Sequence, residues 1–185
     1  ILFSFDESVQ GHIFVSWTPD SKKLVVTESC SPFGEWACVD SNIFLFDVAS
    51  GQKIGMLEPD SYENQFQPHF PTLSSDGRYT IWTNFAYEDI QLWLWDTTTE
   101  KLQPITTSPQ YAPSEMAWSS DNTQLVIGHW GNEHVYILDR ESASIYELSG
   151  YHTGPHGPGG VVFDVFWCID STCAISIGGD GIRMW

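Results

Sequence analysis

Hydrophobic and polar positions along this chain alternate in short runs, and the runs come back in the same order four times. The copies read IFVSWTPDSKKLVVTES…NIFLFD, FPTLSSDGRYTIWTN…IQLWLWD, EMAWSSDNTQLVIGH…HVYILD and FDVFWCIDSTCAISIGGDGIRMW. Each holds an alternating apolar run ending in an aromatic, a turn with Asp, a second apolar run, a polar loop and a third run. The turn aspartates are Asp20, Asp76, Asp121 and Asp170, and the third run closes on Asp47, Asp96 and Asp139 in the first three copies. Both sets of landmarks agree on a period of roughly 45 residues, the spacing of a repeat architecture.

The pattern predicts strands throughout. Alternation at Val15/Trp17 and Met116/Trp118 marks first strands with one buried face. Pro19-Asp20-Ser21 and Ser75-Asp76-Gly77 are turn chemistry, since Asp bonds its own backbone and Gly tolerates positive φ. Near-continuous apolar runs at Leu24-Val25-Val26 and Leu125-Val126-Ile127 suit strands covered on both faces. Third strands are expected at 43–46, 90–95 and 135–138, and more polar outer strands at 1–5, 53–57, 102–106 and 145–148. No stretch carries a long helical-period stripe free of Gly, Pro or Asn. Repeats of four antiparallel strands, at approximately 1–47, 53–96, 101–139 and 144–185, predict an all-β fold, a β-propeller with four-stranded blades.

Composition narrows the partners. The 185 residues carry 7 Lys+Arg against 24 Asp+Glu, a net charge of −17, which excludes a nucleic-acid binder and an anionic membrane surface. A chain with 15% aromatics and 9 Trp buries enough apolar surface to exclude disorder. No apolar run is long enough to span a bilayer, and no basic leader precedes an apolar stretch. Both ends fall in strand-like segments, as in a processed, truncated or engineered chain. Cys30/Cys38 and Cys168/Cys173 match neither zinc-ribbon nor C-x-x-C spacing. Free thiols are the first expectation, with two local hairpin disulfides as the alternative.

The residues Trp95-Asp96, the tails Phe46-Asp47 and Leu138-Asp139, and GGDGIRMW at 178–185 resemble the WD-repeat family across essentially the whole chain. That family's structural tetrad joins a His, a Ser, an Asp and a Trp. The resemblance implies its Asp at Asp40, Asp89 and Asp180, with Asn132 standing there in the third copy. It also implies its Ser at Ser176, its His at His156, and its closing Trp at Trp95 and Trp185. Only the fourth copy can complete the set. Gly11-His12 looks like the family's Gly-His, but His12 falls within a first strand. All these residues read as scaffold. Four copies leave closure open: two chains closing one eight-bladed ring, a piece of a longer propeller, or a four-bladed monomer. Closure by self-association is the leading expectation.

No nucleophile elbow, P-loop or H-E-x-x-H is present, so the expectation is a non-enzyme with no cofactor and no metal site. His129/His134 and His152/His156 sit in loops, where histidines are more often solvated than metal ligands, and His156 already has its structural reading. The loops before first strands and after second strands share one face and hold aromatics with acidic neighbours. Phe33, Trp36, Tyr62, Phe85, Tyr87, Glu88, Tyr111 and Trp130 are the candidate binding residues. The insert 31–39, with Phe33 and Trp36, is the best single candidate. Together these point to an intracellular, cytoplasmic or nuclear scaffold binding a basic or amphipathic polypeptide. Two alternatives stand beside it: the propeller portion of a larger enzyme such as a peptidase, and an engineered self-assembling half-propeller.

Overall fold

A computed structural model describes residues 12–18, 20–29, 42–57, 68–85, 90–105, 113–129, 133–153 and 160–185. Among these residues every regular element is a β-strand. The chain divides into two compact units, Ile1–Pro104 and Ile105–Trp185.

In the first unit β1 (His12–Trp17), β2 (Lys23–Ser29), β3 (Ile43–Asp47) and β4 (Lys53–Leu57) form one antiparallel sheet in chain order. A second sheet follows in the same order: β5 (Pro68–Leu73), β6 (Tyr79–Phe85), β7 (Ile90–Asp96) and β8 (Lys101–Ile105). Residues opposite each other across an antiparallel pair share a face, and the next row points the other way. Val25 pairs with Leu45, and Ile43 follows two residues before it, so all three lie on one face of the first sheet. They pack on Leu73, Trp82 and Trp95 of the second, with Leu57, Trp93 and Leu102 around them. Gly55 lies on the same face, where a Cβ would come within 3.4 Å of the Trp95 ring.

The second unit repeats the plan. β9 (Pro113–Trp118), β10 (Gln124–His129), β11 (Val135–Asp139) and β12 (Ser144–Glu147) form a four-stranded sheet. β13 (Val162–Trp167), β14 (Ala174–Gly178) and β15 (Gly181–Met184) form a three-stranded one. The outer strand expected at 1–5 lies outside the described residues. Val126, Val135 and Ile137 pack on Val162, Val165 and Ala174, with Ala117, Leu148, Trp167 and Trp185 at the margin. The Trp167 indole N–H donates to the Ala117 carbonyl at 2.9 Å, tying β13 to β9. β1 begins at His12, which places that residue on a first strand.

Candidate functional site

The acidic residues that mark the repeats are turn locks. In the β1–β2, β5–β6 and β9–β10 turns a hydroxyl donates to the aspartate two residues on: Thr18 to Asp20 at 2.7 Å, Ser74 to Asp76 at 2.6 Å and Ser119 to Asp121 at 2.7 Å. The same hydroxyl accepts the backbone N–H five residues on, from Lys23, Tyr79 and Gln124. Each aspartate also accepts a backbone N–H two residues ahead, from Lys22, Arg78 and Thr123. These bonds hold the Asp20 and Asp121 carboxylates below their ordinary range, Asp20 to about 2, with the Thr18 and Ser119 hydroxyls as the main causes. The residue after each aspartate takes the left-handed conformation: Ser21, Gly77, Asn122 and Ser171.

The closing aspartates cap the other hairpins. Asp47 accepts the Ser50 N–H at 2.8 Å and hydroxyl at 2.6 Å, and Asp139 does the same with Ser142 at 2.8 and 2.7 Å. Asp96 takes a two-pronged bond from Arg78, Nε at 3.1 Å and Nη2 at 2.8 Å, and accepts the Thr98 N–H. The Arg78 guanidinium holds the Asp96 carboxyl well below the usual carboxylate range. Trp95 is buried beside it in the sheet-to-sheet core, and its indole N–H has no partner among the described residues.

A buried polar chain runs through the last sheet. Trp185 Nε1 donates to the Ser176 hydroxyl at 2.8 Å, Ser176 meets His152 Nε2 at 2.7 Å, and His152 Nδ1 meets Asp180 at 2.5 Å. The network assigns the tautomer. Asp180 only accepts, so Nδ1 carries the proton, and Nε2 takes the Ser176 hydroxyl hydrogen. Every donor then has an acceptor. Asp180 further accepts from Thr153 N at 3.0 Å and Arg183 Nη2 at 2.6 Å. The Arg183 bond, then the His152 bond, holds its carboxyl well below the usual range.

The segment carrying His152 is pinned at both ends. The His152 N–H donates to the Glu133 carbonyl at 2.9 Å, and the Glu133 carboxylate accepts the Gly160 N–H at 2.9 Å. Gly178 makes room for the imidazole, since a Cβ there would overlap the His152 ring. Gly150, at φ +131, passes over the Trp185 ring with the same economy.

The order Asp180–His152–Ser176 has the connectivity of a hydrolytic triad. Its placement differs. Ser176 and His152 are both 0% exposed, and one lone pair of the Ser176 oxygen is taken by Trp185. The arrangement satisfies buried polar groups and fixes a turn.

The structure brings Ser176, Asp180 and Trp185 together, and the histidine in contact with them is His152. The expectation of His156 is corrected on that point: the pinned segment reaches the sheet four residues earlier. His156 itself lies outside the described residues, as do Asp40, Asp89, Phe33, Trp36, Tyr62, Tyr87, Glu88, Tyr111 and Trp130. Phe85 ends β6, paired with Ile90. Sequence reasoning also missed Gly178 and Glu133, and only the glycine left a signal, as a residue without a side chain inside a strand.

Cys168 and Cys173 are joined in a disulfide with Cα atoms 5.3 Å apart, which corrects the expectation of free thiols for this pair. The reason is positional. Cys168 stands where the other repeats have Thr18, Ser74 and Ser119, and Cys173 stands where Lys23, Tyr79 and Gln124 donate to that hydroxyl. The backbone bond from Cys168 N to Cys173 O, 2.8 Å, holds the two within disulfide reach. A covalent link thus replaces a hydrogen bond. Cys30 and Cys38 lie outside the described residues. Among the described residues no cluster of three metal-ligating side chains occurs, and no helix is long and apolar enough to cross a membrane.

No protein-family model matches the chain. No curated protein sequence matches it. Solved structures do: 786 chains resemble it, so the architecture is too widely shared to select a function by itself. One is Kuenenia stuttgartiensis hydrazine synthase, with a TM-score of 0.63 at 17% identity over 92% of this chain. This chain spans 57% of the length of that one. At such identity the likeness lies in the fold alone: an all-β chain of repeated antiparallel sheets.

Proposed function

We propose that the chain is a WD-repeat-type β-propeller segment acting as a non-enzymatic interaction scaffold. Its loop face binds a basic or amphipathic polypeptide, and self-association completes the ring. The observation that carries this reading is the contrast between the two ends of the sheets. At one end β1–β2, β3–β4 and their counterparts join through tight turns locked by Asp, Ser and Thr. Every longer connection, 30–41, 58–67, 86–89, 106–112, 130–132 and 154–159, joins strand ends at the opposite side. All eight aromatic and acidic binding candidates fall on or beside those connections. Loops on a rigid scaffold are where recognition concentrates. The buried Ser176–His152–Asp180 chain favours a structural role over a hydrolytic one. The WD-repeat reading draws on the same four residues, since their contacts follow the family's tetrad.

The charge supports a basic partner. Eight aspartates serve as turn locks, yet they remain anionic, and the net charge of −17 raises the local concentration of cations. The test is fluorescence anisotropy with labelled basic amphipathic peptides at two ionic strengths. Binding that weakens with added salt is expected. Equal affinity for acidic peptides of the same length overturns the reading.

The disulfide favours an oxidising compartment over the cytoplasm or nucleus. A second reading, the propeller portion of a larger enzyme, draws on the solved hydrazine synthase chain, of which the likeness covers 57%. A catalytic domain in the same polypeptide would decide for it.

A further inference from the structure

We infer that Cys168–Cys173 is a reversible thiol–disulfide exchange site, opened by a dithiol without unfolding the sheet, with Cys173 as its reactive thiol and Cys168 held protonated on Asp170 once reduced. The β13–β14 turn keeps its bonds without the bridge. Cys168 N donates to the Cys173 carbonyl and Ser171 N to the Cys168 carbonyl, both at 2.8 Å. In the β9–β10 turn Ser119 N donates to the Gln124 carbonyl at 2.9 Å and Asn122 N to the Ser119 carbonyl at 3.0 Å. Asp170 Oδ1 accepts the Thr172 N–H at 3.1 Å and hydroxyl at 2.7 Å, as Asp121 Oδ1 accepts those of Thr123 at 3.0 and 2.8 Å. Ser171 and Asn122 share the left-handed conformation, at φ 56 and 60. One bond of the sibling turn is missing, the 2.7 Å bond from the Ser119 hydroxyl to Asp121. Cys168 holds the position of Ser119, and its sulfur, tied to Cys173, has no hydrogen to give.

Reduction supplies that hydrogen. The Cys168 S–H then donates, weakly, to Asp170 in the place a hydroxyl takes in the other repeats. The turn therefore has a bonded form in both states, and the strands need not move. The bridge joins residues only five apart, and the entropic hold of a disulfide shrinks with its loop. Both cysteines are half-buried, and Ile169 beside them is wholly exposed, so a small thiol reaches the sulfurs. Asp170 makes the two sulfurs unequal. The Thr172 hydroxyl, then its N–H, holds the Asp170 carboxyl below its ordinary range, so it is anionic at neutral pH. A thiolate at Cys168 would face that charge and is disfavoured. Cys173 stands at the position of Gln124, across the strand pair from the aspartate's missing donor, and leaves more readily as thiolate. The dithiol's thiolate thus attacks the Cys168 sulfur; the S–S bond breaks, and Cys173 departs as thiolate and takes a proton from water. The second sulfur of the dithiol then attacks the first, closing its own disulfide and expelling Cys168, which is protonated in turn. Two electrons pass from the dithiol to the protein.

The test treats the full chain with dithiothreitol in the absence of urea, removes the reductant, and alkylates with limiting iodoacetamide. Peptide mass mapping reads each cysteine separately. Circular dichroism is expected to stay unchanged through reduction, and oxidised dithiothreitol is expected to restore the bridge. Cys173 is expected to alkylate at least about 3-fold faster than Cys168 at neutral pH, the thiolate advantage left after the lower nucleophilicity of a more acidic thiol. In wild type the Cys168 rate is expected to rise at higher pH than the Cys173 rate. Asp170→Asn, which keeps an acceptor for Thr172, is expected to close most of the gap. A bridge that dithiothreitol opens only in urea overturns the inference. So does a Cys168 that alkylates as fast as Cys173 with the same pH dependence, or a gap that Asp170→Asn leaves intact.

Discussion

Replacing Ser176 with alanine removes one oxygen and almost no volume, so it isolates the polar chain from packing. Ser176 is fully buried, and its hydroxyl serves two neighbours, His152 Nε2 at 2.7 Å and Trp185 Nε1 at 2.8 Å. With alanine there, His152 Nε2 is left without a partner at a site with no water access, which costs about 1–3 kcal/mol. The Trp185 ring is part-exposed and regains some solvation, so its loss is below about 1 kcal/mol. The sum is about 1–4 kcal/mol. Urea unfolding followed by tryptophan fluorescence measures it, and the Trp185 indole N–H resonance reports the broken bond independently. Ser142→Ala, at an exposed hydroxyl bonded to Asp139, is the control and is expected to cost no more than about 0.5 kcal/mol. If Ser176→Ala costs as little as the control, the polar chain does not stabilise the last sheet and the reasoning fails.

Other consequences follow from the turns. Ala143 sits at φ 53, in the position Gly51 takes in the first sheet, so Ala143→Gly should stabilise by roughly 0.5–1 kcal/mol; a loss of stability in urea contradicts the strain. Cys168→Ala with Cys173→Ala removes a short cross-link worth about 2 kcal/mol by loop-closure entropy. Cys168→Ser with Cys173→Ala should recover about 1 kcal/mol of that, because it rebuilds the hydroxyl turn of the other repeats; equal stability of the two variants argues against the equivalence. Asp20, Asp121, Asp139 and Asp180 have folded pKa values below the unfolded value, so their stabilisation is present above that value and is lost as pH falls through the folded one. The urea midpoint should therefore fall between about pH 4 and pH 2. A midpoint that rises on acidification would mean that relief of the negative charge outweighs the locks.

The features legible in the sequence are those set by contacts a few residues long. Asp20, Asp76 and Asp121 bond hydroxyls two residues back and amides two ahead, so their spacing exposes the repeat directly. Strand order follows, because tight turns leave antiparallel neighbours as the outcome. His152 was not legible. The choice between it and His156 depends on the path of the chain between Glu133 and Gly160, far apart in sequence. The disulfide was legible only by aligning Cys168 with Thr18, Ser74 and Ser119, because Cys spacing alone carries no such register. Nothing short-ranged constrains the loop aromatics, which is why composition, and no local pattern, singled them out.

The measurement that bears most directly on the scaffold-and-loop account compares affinity with stability in one variant. Phe33→Ala combined with Trp36→Ala should weaken binding of the basic peptides by at least about 10-fold, the loss expected for aromatic anchors, while the melting temperature stays within about 2 °C. Unchanged affinity, or a melting temperature that falls along with the affinity, would place those rings in the scaffold and contradict the account.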